Sequence, residues 1–273
     1  IFRAWRYGVD AFIVADIGLA SYVHTVCPEI ELHASTQATG LNVLSADELK
    51  KIGFSRMVAP REISKRDLEI LVKNSPIETE LFIHGAICVS CSGQCLMSSV
   101  IGGRSGNRGE CAQPCRLPYG KNGYALSLKD MCLAEHLTEL SEMGVASLKI
   151  EGRMKAPEYV YGVTKIYRTL LDESRNAGEK EIAELSALFS RSGFTCGYYT
   201  GDIGRDMLGI RTADDKKESA KLLGSTIPEA KAEISLSADI RTGERASVTA
   251  SGIFDGKSVT YTAIGGVVEK AGR

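Results

Sequence analysis

The sequence predicts an α/β fold: a (β/α) TIM-like barrel, or the larger part of one, followed by a small β-rich domain. Three observations carry this expectation. Short apolar runs recur over residues 1–200 with a helical pattern after each. Helix start and stop signals fall in the gaps between the runs. Near residue 200 a Gly-rich and then charged stretch ends the alternation, and short β-like segments follow. Strands alternating with helices imply right-handed β/α units around a parallel sheet.

In chain order, AWRYGVD reads as the tail of a helix closing on Gly8, so structure upstream of Ile1 is expected. The runs AFIVAD (11–16), IELHAS (30–35), RMVAP (56–60), ELFIHG (80–85), YALSL (124–128) and ASLKIEG (146–152) read as buried parallel strands. Ser45 with Glu48, and Ser64 with Asp67, have capping-box spacing and place two helix N-termini. After YALSLKD a helical stripe of Leu133, Leu137, Leu140 and Met143 stops at Gly144, the expected left-handed cap. Pro157 opens a further helix whose apolar face is Tyr159, Val160, Val163, Ile166, Tyr167 and Leu170. The expected domains are a barrel portion over 1–200 with a Cys-rich block at 84–120, a linker over 201–219 and a β-rich domain over 220–273. In the last, a turn at Arg241–Glu244 and an Asp255-Gly256 hairpin signal separate three strand-like segments. No chemistry is visible there.

At 273 residues and 44% hydrophobic, the composition excludes disorder and fibrous structure. Lys+Arg number 33 against 34 Asp+Glu, so a nucleic acid would have to be met by a local basic patch. No apolar run approaches a membrane span, and the N-terminus lacks signal-peptide zones, so no membrane partner and a cytoplasmic location are expected. In that reducing compartment crowded cysteines are metal ligands or redox groups more often than disulfides. Six of the eight cysteines (Cys88, Cys91, Cys95, Cys111, Cys115, Cys132) crowd together, with only Cys27 and Cys196 outside. The first five form two close groups with a Gly- and Ser-rich loop between them. Soft thiolates in that arrangement suit a structural zinc or an iron–sulfur cluster, and inert packing thiols are the third reading.

His84-Gly85-Ala86-Ile87-Cys88, Ser92-Gly93-Gln94-Cys95 and the stretch from Gly103 to Arg116, GRSGNRGECAQPCR, resemble the signature of the U-thirty-two, or collagenase-like, peptidase family. HASTQATGLN (33–42), VAPREIS (58–64), SLKDMCLAEHL (127–137) and SLKIEGRMKAPEYVYGVTKIYR (147–168) resemble its other blocks, and the tail is similar to the extra domain of its longer members. The resemblance implies a barrel lacking its first units, since the family's N-terminal block has no counterpart here. It also implies an oxygen-independent hydroxylase of tRNA or ribosomal RNA with a four-iron four-sulfur (4Fe-4S) cluster and prephenate as hydroxyl source, or else a peptidase. On it, Cys88, Cys95, Cys111 and Cys115 are the metal ligands, with Cys91 and Cys132 in reserve. Zinc is the alternative metal, in which case the chain would be an RNA-binding module.

Neither HExxH nor G-x-S-x-G is present, which counts against hydrolysis. Of the four histidines, His33 and His84 end strands at the expected C-terminal rim and are the catalytic candidates with Glu151, a His84–Cys88 nucleophile pair being the peptidase version. Lys149, Glu151 and Arg153 alternate along a strand end and should share one face if Ile150 faces the helices. With Gln37 and Arg61, Lys149 and Arg153 are the substrate-binding candidates, Arg61 and Arg153 clasping a dicarboxylate. The rim also gathers Asp16, Ser35, Asn42 and Glu62. Arg104, Arg108, Arg116, Arg153, Lys155, Lys165 and Arg168 form the basic patch expected to meet RNA phosphates.

Overall fold

The structure is a computed structural model describing residues 1–153, 155–212, 233–254 and 257–269. It falls into two compact units, Ile1–Ile227 and Pro228–Arg273. Part of the linker expected at 201–219, the start of the domain expected at 220 and the Asp255-Gly256 turn lie outside the described residues.

The first unit runs α1 (Phe2–Arg6), β1 (Ala11–Val14), α2 (Ile17–Val26), β2 (Glu31–Ala34), α3 (Val43–Ile52), β3 (Arg56–Val58), α4 (Lys65–Asn74), β4 (Glu78–Ala86) and α5 (Met97–Gly102). It continues through β5 (Asp130–Cys132), α6 (Leu137–Met143), β6 (Ser147–Ile150), α7 (Pro157–Asp172), α8 (Glu179–Leu188), β7 (Phe194–Thr195) and α9 (Gly197–Thr200). β1 to β4 pair in sequence order and in parallel, as βαβ units require, and β6 joins β4 in parallel. One helix face after another is spent on burial: Ala20 and Val23, Ala46 and Leu49, Leu68 and Leu71, Leu137 and Leu140, then Tyr159, Val163, Tyr167 and Leu170. Each such leucine contributes about 1.5–3 kcal/mol. No described helix is long and apolar enough to cross a membrane.

Four local expectations are corrected. YALSL is not a strand: Leu128 bridges Leu208, while the Ser127 hydroxyl donates to Gly209 O and Lys129 N–H to Met207 O, so the segment is held by residues 207–209. The strand is β5, which starts at Asp130 and runs antiparallel to β4, so the sheet is mixed. Asn42, and not Ser45, caps α3: its side chain accepts Ser45 N–H, and the Ser45 hydroxyl is turned back to Asn42 and Leu41. Val160 is exposed, because α7 rolls Gly162 against Leu188 of α8 instead. The Ser64 cap and the left-handed Gly144 and Gly8 stand as read.

The second unit is an antiparallel meander of β8 (Ile234–Asp239), β9 (Arg245–Phe254) and β10 (Lys257–Val267), turning at Gly243 with φ +84°. Its register puts Ile234, Leu236, Val248, Val259 and Tyr261 on one face. The other face is hydroxyl-rich, with Thr249 bonded to Thr262 at 2.9 Å and Ser251 to Thr260 at 3.2 Å.

Candidate active site in the cysteine block

Because β5 is antiparallel, its first residue meets the last of β4: Ala86 pairs with Asp130. The cysteine block is the long connection between these two ends, and it is stapled down along its length. The Arg116 guanidinium donates to Ile87 O at 2.7 Å and to Leu128 O, strapping the block's entry to its exit. Ser92 donates its N–H and its hydroxyl to the two oxygens of Glu62, each at 2.8 Å, and accepts Arg61 N–H at 3.2 Å. Gln94 reaches Thr39 at 3.2 Å, and Tyr198 donates to Cys88 O at 3.2 Å. Gly93, at φ +80°, lies so close to Thr36 O and Thr39 that a Cβ would stand 2.8 and 2.6 Å from them.

Cys88, Cys95, Cys111 and Cys115 are all free thiols, linked by charge interactions of Cys88 with Cys95 and Cys115 and of Cys115 with Cys95 and Cys111. Burial pushes the Cys88 thiol up, the nearby Cys115 and Cys95 push it further, and Arg61 and Arg116 oppose them. Burial pushes Cys115 up likewise, with Cys111 and Cys95 adding and Arg116 opposing. Gln113, at φ +56°, donates its N–H to Cys111 Sγ at 3.3 Å. Among the described residues no three His, Cys, Asp or Glu side chains are drawn to metal-holding distance. The chemistry of the donor set nevertheless fits a thiolate-ligated group: soft sulfurs close enough to feel one another's charge, an N–H donated to sulfur and two guanidinium groups that favour the thiolates. Cys91 is exposed. Cys132 is no helix-start residue but part of β5, a buried thiol 3.6 Å from the Tyr167 hydroxyl.

A face of charged side chains runs toward this loop. Arg56 holds Glu78 at 2.6 Å and Glu80 at 3.6 Å, Lys149 holds Glu80 at 2.7 Å, and Arg61 holds Glu151 at 2.9 Å while stacking 4.0 Å over Phe82. Burial disfavours charge on Glu80, yet Lys149 and Arg56 hold its carboxyl below the usual range. Glu151 also accepts Arg153 N–H at 3.0 Å, and the Arg153 guanidinium reaches over Gly109 in the cysteine block. Gln37 lies in the turn beside Gly93, its Oε1 buried with no hydrogen-bond partner. Asp16, Ser35 and Asn42 are spent as helix N-caps.

The two histidines differ. His33 bonds to Glu31 at 2.8 Å and stands in register with Arg56 of the charged face. His84 is turned to the helix side by a bulge: Phe82 pairs with Lys149 and His84 with Ile150, so the extra Ile83 moves His84 to the other face. There it is 1% exposed, packed by Tyr159, Tyr167 and Phe194, with Nδ1 3.2 Å from the Tyr167 hydroxyl and Nε2 without a partner. Burial, helped by Lys155, pushes its pKa down to about 3. Neither nitrogen bonds to Cys88, so the expected nucleophile pair is not assembled. Ile150 does face the helices with His84, as the alternation of Lys149 and Glu151 required.

The basic patch is also revised. Arg116 is consumed as the loop strap, and Arg168 pairs with Asp172 at 2.5 Å. Arg104, Arg108 and Arg153 stay exposed on and beside the cysteine block. Gly85 of the signature has φ +102°, and a Cβ there would lie 2.6 Å from Glu151 O. Gly85→Ala is therefore expected to cost about 2 kcal/mol or more, read as a lowered urea midpoint at unchanged slope.

The sequence profile of Peptidase family U32 matches residues 1–208. The chain belongs to peptidase family U32. Among curated U32 relatives, the 23S rRNA 5-hydroxycytidine C2501 synthase of Escherichia coli K12 is 41% identical over 62% of this chain and 27% of its own length. The tRNA hydroxylation protein P of Helicobacter pylori 26695 is 37% identical over 69% of this chain and 50% of its own, and a collagenase of Porphyromonas gingivalis W83 is 31% identical over 72% and 54%. The chain thus spans about a quarter to a half of these relatives. A solved U32 peptidase, Mk0906, matches 29% of the chain at 18% identity and a TM-score of 0.26, too partial a likeness to bear on the fold.

Two residues beside the U32 signature had no local signal. Asp130 is fully buried, with Oδ1 2.6 Å from Arg191 and Oδ2 unpartnered. Lys155 appeared only as one cation of the patch, whereas it lies half-buried over Phe189.

Proposed function

We propose that this chain is the cluster-bearing part of an oxygen-independent RNA hydroxylase, its sheet an arc of a (β/α) barrel and its substrate rRNA or tRNA. The mutual charge interactions of Cys88, Cys95, Cys111 and Cys115, in the loop that leaves the carboxyl end of β4, carry the reading, and the RNA-hydroxylating relatives support it. The four thiolates would hold a 4Fe-4S cluster, which supplies electron transfer or Lewis acidity when bound. Around it Glu151, oriented by Arg61 and the Arg153 N–H, is placed to hold or pass a proton, and Gln37 offers an unspent amide oxygen. Arg104, Arg108 and Arg153 meet phosphates, and a small dicarboxylate such as prephenate is the oxygen donor. An RNA substrate entails a cytoplasmic location. Among the described residues the His84–Cys88 pair that would carry peptide hydrolysis is not assembled, since His84 is buried, neutral and unbonded to any cysteine.

Protein purified without oxygen is expected to be brown, with about four irons and four sulfides per chain, and Cys111→Ser or Cys115→Ser is expected to lose most of both. A colourless protein carrying one zinc would overturn the reading in favour of a structural-metal RNA-binding module. So would gelatin cleavage that persists in both variants.

A further inference from the structure

Arg61, expected with Arg153 to clasp a small dicarboxylate, and Lys149, a further substrate-binding candidate, are already neutralised by Glu151 at 2.9 Å and Glu80 at 2.7 Å. A second group of cations lies elsewhere. Three cations surround the ring of Phe189: Lys155 Nζ at 2.7 Å from its centre, Arg211 at 4.0 Å and Arg191 at 5.2 Å. Arg116 stands behind them, close enough to Arg191 for each to disfavour the other's charge. Asp130 pairs with Arg191 at 2.6 Å, and it and Glu151 favour the charge of Lys155 from farther away. Lys155 forms no ion pair among the described residues. A buried cation without a counter-charge is costly unless something supplies one.

Position adds a second argument. Asp130 pairs with Ala86 at the mouth of the cysteine block, and Arg116 touches both groups, lying next to Cys115 in sequence and strapping Ile87. Tyr159, 6.0 Å from Phe189, donates to the backbone carbonyl of Glu151 at 3.3 Å, tying the ring beside the cation cluster to the strand end that carries Glu151.

We propose that Lys155, Arg191 and Arg211 form an oxyanion-binding site over Phe189, and that this site, not the Arg61 pair, takes the carboxylate or phosphate of the small substrate. Calling the oxyanion a substrate's rests on the function proposed above; the site itself does not. Burial, together with Arg191 and Arg211, pushes Lys155 down to about 7 despite Asp130, and a bound anion would restore its charge.

The test is a thermal titration of the full chain with malonate and, separately, uridine monophosphate, against chloride at equal ionic strength. Malonate or the nucleotide is expected to raise the midpoint saturably where chloride does not, and which one does so identifies carboxylate or phosphate as the source. Lys155→Met, whose straight apolar chain keeps the contact with Phe189, should weaken that apparent affinity at least tenfold, and Arg61→Met should leave it within about twofold. No saturable shift with either anion, equal affinity in Lys155→Met, or loss in Arg61→Met instead would overturn the proposal. Should Lys155→Met not fold, amine labelling of Lys155 in the wild-type chain near neutral pH replaces it. Labelling slowed severalfold by the anion supports the site, and labelling unaffected by it overturns the site. Saturable binding to a protein that carries zinc would remove the proposed hydroxylase and leave this site standing; an iron-loaded protein with no saturable binding would do the reverse.

Discussion

Asp130→Asn is expected to destabilise the first unit by about 3–5 kcal/mol, the range for removing one partner of a buried ion pair. Asparagine keeps the size and one carbonyl oxygen, so little packing is lost. What disappears is the carboxylate, 0% exposed, that lies 2.6 Å from Arg191. Without it Arg191 remains among the like charges of Lys155, Arg211 and Arg116 around Phe189. The coupling separates this from a packing effect. Arg191→Gln alone should also be costly, while the double variant should cost at least about 1 kcal/mol less than the sum of the singles, because the residues are in contact. Urea unfolding at unchanged slope reads all three. A loss below about 1 kcal/mol in Asp130→Asn, or strict additivity, would show that the pair is not the counter-charge the cluster depends on.

The elements that were legible in the sequence are those whose signal is local. β1 to β4 and β6 are apolar runs bounded by polar residues, and each lies within one or two residues of its expected place. Ser64 caps α4 because cap and helix are neighbours in the chain. The misread strand and the missed ion pairs share one cause, a partner far away in sequence. YALSL has a strand's composition, but residues 207–209 claim its backbone, and nothing within the run announces them. The direction of β5 is set by where the cysteine block returns, and this alone brings Asp130 to the loop end of the sheet. In the site, the crowding of the cysteines was readable because cysteine spacing is itself a chemical pattern, while the choice of Cys88, Cys95, Cys111 and Cys115 came from the family resemblance. Arg61 with Glu151 and Asp130 with Arg191 were not readable as pairs, being 90 and 61 residues apart. His84 failed for a subtler reason: period-2 alternation from Phe82 puts it on the charged face, and one inserted residue reverses every assignment after it.

That reversal has a measurable consequence in acid. With a folded pKa of about 3 against an ordinary 6.5, His84 stays neutral in the native chain while the unfolded chain takes up a proton. The unfolded state therefore binds more protons below pH 6.5, and stability falls as pH falls through that window. At about 1.4 kcal/mol per pH unit, the loss from this one group is about 2 kcal/mol by pH 5. Glu80, held below the usual carboxylate range, gives up its contribution only at lower pH, so the decline between 6.5 and 5 isolates the histidine. His84→Phe should flatten it. The ring fits among Tyr159, Tyr167 and Phe194, and the Tyr167 hydroxyl keeps its bond to Ile83 O at 3.1 Å. Unfolding midpoints measured from pH 7 to 5 are thus expected to fall in the wild-type chain and to stay nearly level in the variant; parallel declines would mean that His84 is not the group being titrated. A neutral, sequestered imidazole also cannot donate a proton near pH 7, so the proton that the proposed chemistry handles at this end of the sheet falls to Glu151, which lies on the charged face that the bulge denies to His84.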